Sequence, residues 1–494
     1  MSVRVHDLWP LGCVALAAVS LLIPATLTYD PWSWLGWGHQ LAHLQLDTRG
    51  GPAWKPLAVM LATLLAPFGA QAPLMWLLIV RTAALASAVL AARLAWRVGS
   101  GGRLARGGAG VTATLGLLGC SQYLGYLTAT GMSEPLLVAA ALAALDAHLS
   151  GRRRWALTAG VAACLLRPEA WPFVALYAAW LCRSEARGIR WTAAGAVAII
   201  AAWFVPDLIG SGDVMRSVQR ASAPDQGSPA LASDPAWEVL RRAWQTPPEV
   251  VRALIALGAG VALWPRPVAR AGARRVVLAG GALWLLLVAV MTQLGLSAGD
   301  PRYGLVGVAL ACVLAGMGWA TLVVGLGGAL ARVARRQRGG LVGALAASAT
   351  GLAVIVGAVA SSVPAGGRTL DGLREQAATY GELATVVGQV GGGRAIKACG
   401  KPVISPFSVP ALAWDLGVPI GAVGFTDVSI GSRWLRLPVR GPAAVFYAPR
   451  QWPSPPVVAE PFQIVSRSPR WQVLSACRSG AAVRIAQPGR RGHD

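Results

Sequence analysis

Lysine is almost missing from this chain, occurring only at Lys55, Lys397 and Lys401, and acidic residues are scarce, with 21 Asp and Glu against 44 Lys and Arg. Only 13% of the 494 residues are charged while 55% are hydrophobic, and the mean hydropathy is +0.54. That little charge on so much apolar surface excludes an ordinary water-soluble globule. The seven cysteines lack zinc-site spacing, and neither a His-Glu-x-x-His motif nor a phosphate-cradling P-loop or dinucleotide fingerprint is present. Zinc-hydrolase and nucleotide chemistry therefore have no anchor.

What the chain does have is a succession of apolar runs. A hydrocarbon core of about 30 Å needs roughly 17–25 apolar residues per helix, and only helices satisfy the backbone in lipid for runs of this kind. Candidate spans are 9–28, 72–92, 108–129, 133–149, 191–209, 250–264, 276–294, 303–330 and 341–362, with a shorter pair, 155–167 and 170–182, flanking Arg167-Pro168-Glu169. Counting that pair as a hairpin gives about eleven crossings. The formal net charge of +23 would suggest nucleic acid in a soluble protein, but here the basic residues cluster in short loops between apolar runs. Such loops, at 93–106, 152–154, 183–190, 266–275 and 332–338, belong in the cytoplasm by the positive-inside rule. The N-terminus is then inside an enclosing plasma membrane, and loops 30–55, 131–134, 206–249 and 297–302 face out. The run 56–69 has the wrong parity to cross; with the Trp-rich stretch 32–46 it is expected as a pair of outer juxtamembrane helices, the alternative being a plain connecting loop.

After about residue 362 Gly, Pro and polar residues rise, and short β-type runs appear at 402–405, 443–447 and 463–465, with helical spacing over 370–390. The chain thus reads as a polytopic α-helical domain, 1–362, followed by a small extracytoplasmic α/β domain, 363–494. Outside the cell, Cys399 and Cys477 are placed to form a disulfide; otherwise they are two thiols. Trp414, Trp434, Trp452 and Trp471 either pack the core of this domain or stack on sugar faces.

Ionisable residues near a membrane are costly unless they face a cavity or a partner, and here they gather at outer span ends. Asp30, between Tyr29 and Pro31, suits a general base or metal ligand, or else an N-cap. Glu134 opens an outer helix, where a carboxylate also complements the helix dipole. Arg167 and Glu169, at the hairpin tip, either line a cavity or form an ion pair across the turn. Arg302 and Tyr303 read as a phosphate ligand pair or as an interfacial Arg with a belt Tyr. Lys55 offers a second cation or an interface anchor. His39, His43 and Asp47 have helical spacing that permits metal binding.

Asp30, the Trp-rich segment, Gly131-Met132-Ser133-Glu134-Pro135-Leu136, Leu166-Arg167-Pro168-Glu169-Ala170-Trp171-Pro172 and Pro301-Arg302-Tyr303 together resemble the GT-C superfamily over about residues 9–330. These are polytopic glycosyltransferases with polyprenyl-phosphate sugar donors, and the likeness is to the RgtA/B/C/D-like, mannosyl- and arabinosyltransferase group. The resemblance implies transfer to an acceptor glycan, lipid or protein, with Asp30 as the catalytic carboxylate of the first outer loop that deprotonates the acceptor hydroxyl. It implies Arg302 on the donor phosphate, with Arg167 and Lys55 as further cations, and Glu134 and Glu169 shaping the sugar pocket. It also allows a divalent metal, Mg or Mn, at Asp30, although relatives carry a second acidic residue where this chain has Tyr29 and Pro31. The competing readings are a transporter or flippase for lipid-linked sugar and an envelope-assembly scaffold. A transporter is expected to show repeated halves with interrupted helices, and no internal repeat is evident.

Overall fold

A computed structural model describes residues 8–23, 25–120, 126–184, 188–264, 271–334, 363–430, 433–452, 454–459 and 462–477, with the isolated positions 349 and 356. In chain order the helices are α1 (Trp9–Ser20), α2 (Tyr29–Ala42), α3 (Pro56–Leu65), α4 (Ala72–Val98), α5 (Arg103–Leu118), α6 (Glu134–Leu149), α7 (Arg153–Cys164), α8 (Trp171–Ser184), α9 (Gly188–Ser211) and α10 (Arg216–Ser222). They continue with α11 (Pro235–Gln245), α12 (Glu249–Leu263), α13 (Ala271–Gln293), α14 (Leu305–Ala334), α15 (Val363–Gln389), α16 (Gly392–Cys399) and α17 (Val409–Leu416). Several starts follow from proline at the first or second helical position, where its missing N–H costs nothing: Pro56 in α3, Pro135 in α6 and Pro235 in α11.

The chain divides into two compact units, the first comprising Met1–Leu22, Leu77–Trp203 and Ser228–Leu370, the second Ile23–Trp76, Phe204–Gly227 and Asp371–Asp494. The second unit thus joins segments 23–76 and 204–227 to the C-terminal part of the chain. This is an integral membrane protein. Among the described residues four helical stretches, Pro56–Val98, Ile189–Ser211, Ala271–Gln293 and Pro301–Ala329, are each long and apolar enough to cross a bilayer. The α11–α12 pair, bent by 107°, makes up to five. The expected span 9–28 is helical only over the 12 residues of α1, and 341–362 lies outside the described residues except at 349 and 356.

The first unit is built around α14, whose apolar window is 83% buried. It packs on α5, α12 and α13. Small residues set the spacing, because lipid supplies no hydrophobic drive between helices and close backbone approach must replace it. A Cβ on Gly258 would stand 2.0 Å from the Leu314 carbonyl oxygen, and one on Gly318 2.2 Å from that of Leu254. The hairpin α7–α8 turns through a 3-10 turn at Pro168–Ala170, as the sequence suggests. The Cys164 carbonyl at its tip accepts from two indoles, Trp171 Nε1 at 3.2 Å and Trp203 Nε1 at 2.9 Å.

In the second unit α2 and α3 pack together, with Gly38 so close that a Cβ there would lie 2.6 Å from the Ala62 backbone. Positive φ at Gly69 (51°) then breaks α3 from α4, so 56–65 forms a separate helix. The C-terminal part is a five-stranded mixed sheet, order β2 (Gly424–Phe425), β1 (Lys401–Ile404), β5 (Ala443–Tyr447), β7 (Gln472–Ala476), β6 (Gln463–Arg467). β2–β1–β5 are parallel and β5–β7–β6 antiparallel. A separate hairpin pairs β3 (Asp427–Ile430) with β4 (Arg433–Arg436). Cys399 and Cys477 form a disulfide. Trp471 is core, its Nε1 donating to Thr379 O at 2.8 Å, while Trp414 of α17 packs 6.0 Å from Trp32 of α2. Trp434, Trp452 and Phe407 cluster edge to face.

Two predictions follow from this packing. Gly258→Ala forces a methyl into a carbonyl and lowers the thermal unfolding temperature in detergent, at a cost of about 1–3 kcal/mol, whereas Gly260→Ala, with open space at its Cβ, leaves it unchanged or raises it. Burial pushes the Asp415 carboxyl up to about 7 from its ordinary 3.8. The folded form therefore keeps a proton that the unfolded chain releases near pH 4, and stability contributed by this group falls as pH rises through that interval. Asp415→Asn accordingly raises the unfolding temperature more at pH 8 than at pH 5, and an equal shift at both would contradict the assignment.

Candidate active site

Five of the sequence-predicted residues meet in the first unit, brought there by three separate segments. Glu134 is the first residue of α6, its side chain fully buried. Arg167 precedes the hairpin turn in extended backbone, and Glu169 sits within the turn. Arg302 and Tyr303 lie in the 3-10 turn Pro301–Gly304 that opens α14, capped by Asp300, whose side chain accepts from Arg302 N at 3.3 Å.

Arg167 is the centre of the arrangement. Its Nη2 lies 3.5 Å from Glu134 Oε1 and its Nη1 3.4 Å from Glu169 Oε1, so the ion pair expected across the turn is present and shared with a second carboxylate. Its guanidinium carbon stands 3.4 Å from the centre of the Tyr303 ring. Glu169 Oε2 is buried and makes no hydrogen bond among the described residues. Arg302 differs: its side chain keeps 21% exposure, its Nε pairs with Asp300 Oδ2 at 3.0 Å, and Asp300 is itself 42% exposed. The turn is held from below, where Trp284 Nε1 donates to Tyr303 O at 2.8 Å and stacks on Phe173 of α8.

Asp30 and Lys55 belong to the second unit. Asp30 is half-buried in the first turn of α2, where a carboxylate complements the helix dipole. The Tyr29 phenol is pushed up to about 12, chiefly by burial and next by Asp30; Arg220, Arg216 and Asp225 also act on it. Lys55 caps α3 and is buried, with Nζ 4.9 Å from the Trp34 ring centre.

Sequence reasoning missed Asp207, Arg216 and Arg220. Asp207 is fully buried, accepts from Ser217 N at 3.1 Å and pairs with Arg216 Nη1 at 3.5 Å. Arg216 donates to the carbonyls of Gly50 (2.7 Å), Gly51 (3.0 Å) and Pro52 (3.1 Å), and Ser217 Oγ accepts from Trp54 N at 2.7 Å. One short helix therefore fixes the loop that delivers Lys55. The available signal was Arg216 and Arg220 four residues apart, one helical turn, in a polar stretch between apolar runs. The string Gly295-Leu296-Ser297-Ala298-Gly299 fits the Gly-x-Ser-x-Gly pattern but follows a helix, and Ser297 Oγ is used to accept from Gly299 N at 3.2 Å.

His39, His43 and Asp47 do not come together as a set of metal ligands. Asp47 is taken by Arg49 through bonds of 3.0 and 2.6 Å, and His43 Nδ1 contacts the His39 carbonyl at 2.8 Å. No group of three or more His, Cys, Asp or Glu able to hold an ion occurs among the described residues.

Arg167→Met is expected to destabilise the protein by about 3–5 kcal/mol, because it strands two buried carboxylates. Adding Glu134→Gln and Glu169→Gln should recover part of that loss; thermal unfolding in detergent reads both.

No protein-family model and no curated protein sequence matches the chain. Solved structures do: the crystal structure of ArnT from Cupriavidus metallidurans bound to undecaprenyl phosphate superposes with a TM-score of 0.53 at 13% identity, covering 97% of this chain and 99% of that one. The apo state of the same protein gives 0.52 at 13% identity, covering 95% and 98%. ArnT is a GT-C glycosyltransferase, and at this identity the likeness is one of fold. The chain thus has the polytopic GT-C membrane fold, and the likeness extends through the C-terminal α/β region.

Proposed function

We propose that this protein is a membrane glycosyltransferase that moves a sugar from a polyprenyl-phosphate donor to an extracytoplasmic acceptor, a glycan, lipid or protein. The observation that carries the reading is the convergence of Glu134, Arg167, Glu169, Arg302 and Tyr303 inside an apolar bundle. Charged groups there cost several kcal/mol each, and their presence in a membrane domain marks a functional chamber. The ArnT likeness supports the same class, since that protein has been crystallised with undecaprenyl phosphate.

Each residue then has a task its surroundings permit. A lipid phosphate leaves well if a cation neutralises its developing charge, and Arg302 can exchange the exposed Asp300 for phosphate because its planar fork fits either anion. Lys55 is the second cation. Arg167, committed to two carboxylates and a ring, is better suited to positioning than to phosphate binding. It holds Glu134 and Glu169 so that carboxylate oxygens such as Glu169 Oε2 accept hydrogen bonds from sugar hydroxyls. Asp30 takes the proton of the attacking acceptor hydroxyl, which in a single displacement inverts the anomeric centre. The positive-inside pattern puts the N-terminus in the cytoplasm and the C-terminal region outside, and the Cys399–Cys477 disulfide fits an oxidising compartment.

Purified protein reconstituted with a panel of polyprenyl-phosphate sugars should release lipid phosphate from at least one. On that donor Asp30→Asn should lower turnover by about 10²–10⁴-fold with donor binding retained, the range for loss of a general base. Arg302→Gln should weaken donor binding as well as turnover. Full activity of both variants, or transbilayer movement of the donor without phosphate release, would overturn the assignment.

A further inference from the structure

In the first unit, beside the basic loop that joins them, α4 and α5 line an open groove of about 910 Å³, which Leu149 of α6 and Ala273 of α13 also border. Its volume is at the upper end of the roughly 300–1,000 Å³ usual for small-molecule sites. Three guanidiniums line it: Arg93 and Arg97, one turn apart on α4, and Arg106 on α5. Arg93 Nη2 and Arg97 Nε share a single carboxylate, Asp146, at 3.1 and 2.9 Å. Arg106 has no carboxylate partner among the described residues; its guanidinium lies 5.1 Å from the Trp96 ring centre, and its buried Nε makes no hydrogen bond. Three cations against one anion leave two positive charges.

Below the arginines the wall is one face of α5, Gly107, Val111, Thr114 and Leu115, and Thr114 Oγ1 is already bonded to the Ala88 carbonyl at 3.2 Å. The groove is therefore apolar along its length. It opens past Trp96 and Val111, 38% and 43% exposed. A cationic mouth continuous with an apolar groove matches a ligand with an anionic head and a hydrocarbon tail, and basic pockets between helices on the cytoplasmic side are where anionic lipid headgroups bind.

We propose that this groove binds an anionic phospholipid of the leaflet on the basic-loop side, with its phosphate on Arg106 and the outer edge of Arg93, Arg97 adding its charge while bonded to Asp146 and Ser150, and one acyl chain along α5. None of these residues belongs to the cluster around Arg167, so the site is separate from the proposed glycosyl-transfer chemistry. Free phosphate would use the cations but not the groove.

Native mass spectrometry of the delipidated, detergent-purified protein titrated with phosphatidylglycerol or phosphatidylcholine tests this. The wild type should retain phosphatidylglycerol in preference to phosphatidylcholine. Arg106→Gln, which breaks no ion pair, should lower phosphatidylglycerol retention about fivefold, the weight of one basic residue at an anionic lipid. Gly107→Leu keeps every charge but fills the groove, and a Cβ at that position stands 3.5 Å from the Trp96 ring, an ordinary contact that leaves the fold intact; it should lower retention as well. Equal retention of the two lipids by the wild type, or unaltered phosphatidylglycerol retention by both variants, would overturn the proposal. Displacement of bound lipid by an equal concentration of glycerol phosphate would also overturn it, since the acyl chain would then contribute nothing.

Discussion

Arg167 stands between Glu134 and Glu169 with its guanidinium against the Tyr303 ring, in a bundle whose remaining buried side chains are mostly apolar. The triad carries a net negative charge, and each member depends on the others, because a lone buried ion loses far more solvation than it regains. That dependence explains the architecture around it. The α7–α8 hairpin is made of short helices so that its turn ends beside the start of α6, and the Cys164 carbonyl ties the tip to two tryptophans. The turn that opens α14 must arrive at the same point, and glycines along α12 and α14 let those helices approach closely enough for it to do so.

The second unit solves a similar problem with a different ion pair. Asp207 follows Pro206 near the end of α9, and Arg216 begins α10; together they draw three carbonyls of the α2–α3 loop into one network. Buried carbonyls need donors, and a five-donor guanidinium satisfies several at once. The consequence is a fixed position for Trp54 and Lys55 at the start of α3. The same unit includes the C-terminal region, whose helix α17 packs on α2 through Trp414, Trp32 and His39. That C-terminal region shares its compact unit with residues 23–76 and 204–227.

Periodicity and apolar length carried the long helices α4, α9, α13 and α14, the β-type runs at 402–405, 443–447 and 463–465, and the hairpin around Arg167-Pro168-Glu169. The same signals were weaker for α1, where Leu21 onward leaves the helix well before Asp30, since an apolar run does not report where a helix stops. Among the candidate residues, the grouping of Glu134, Arg167, Glu169, Arg302 and Tyr303 was legible because each interrupts or ends an apolar run. Asp207, Arg216 and Arg220 were not, because in a polar stretch between apolar runs a charged residue is unremarked.

By itself, then, the order of apolar and basic segments determined that the chain is a polytopic helical membrane protein and which ends of its helices carry ionisable groups, since transfer free energy depends on composition and length alone. Only the tertiary structure decided that Arg167 is shared by two carboxylates, that Arg302 keeps an exposed partner, and that Arg216 is spent on backbone carbonyls. Ion pairing is set by distances of a few ångströms between residues far apart in the chain, and those distances exist only after the helices have packed.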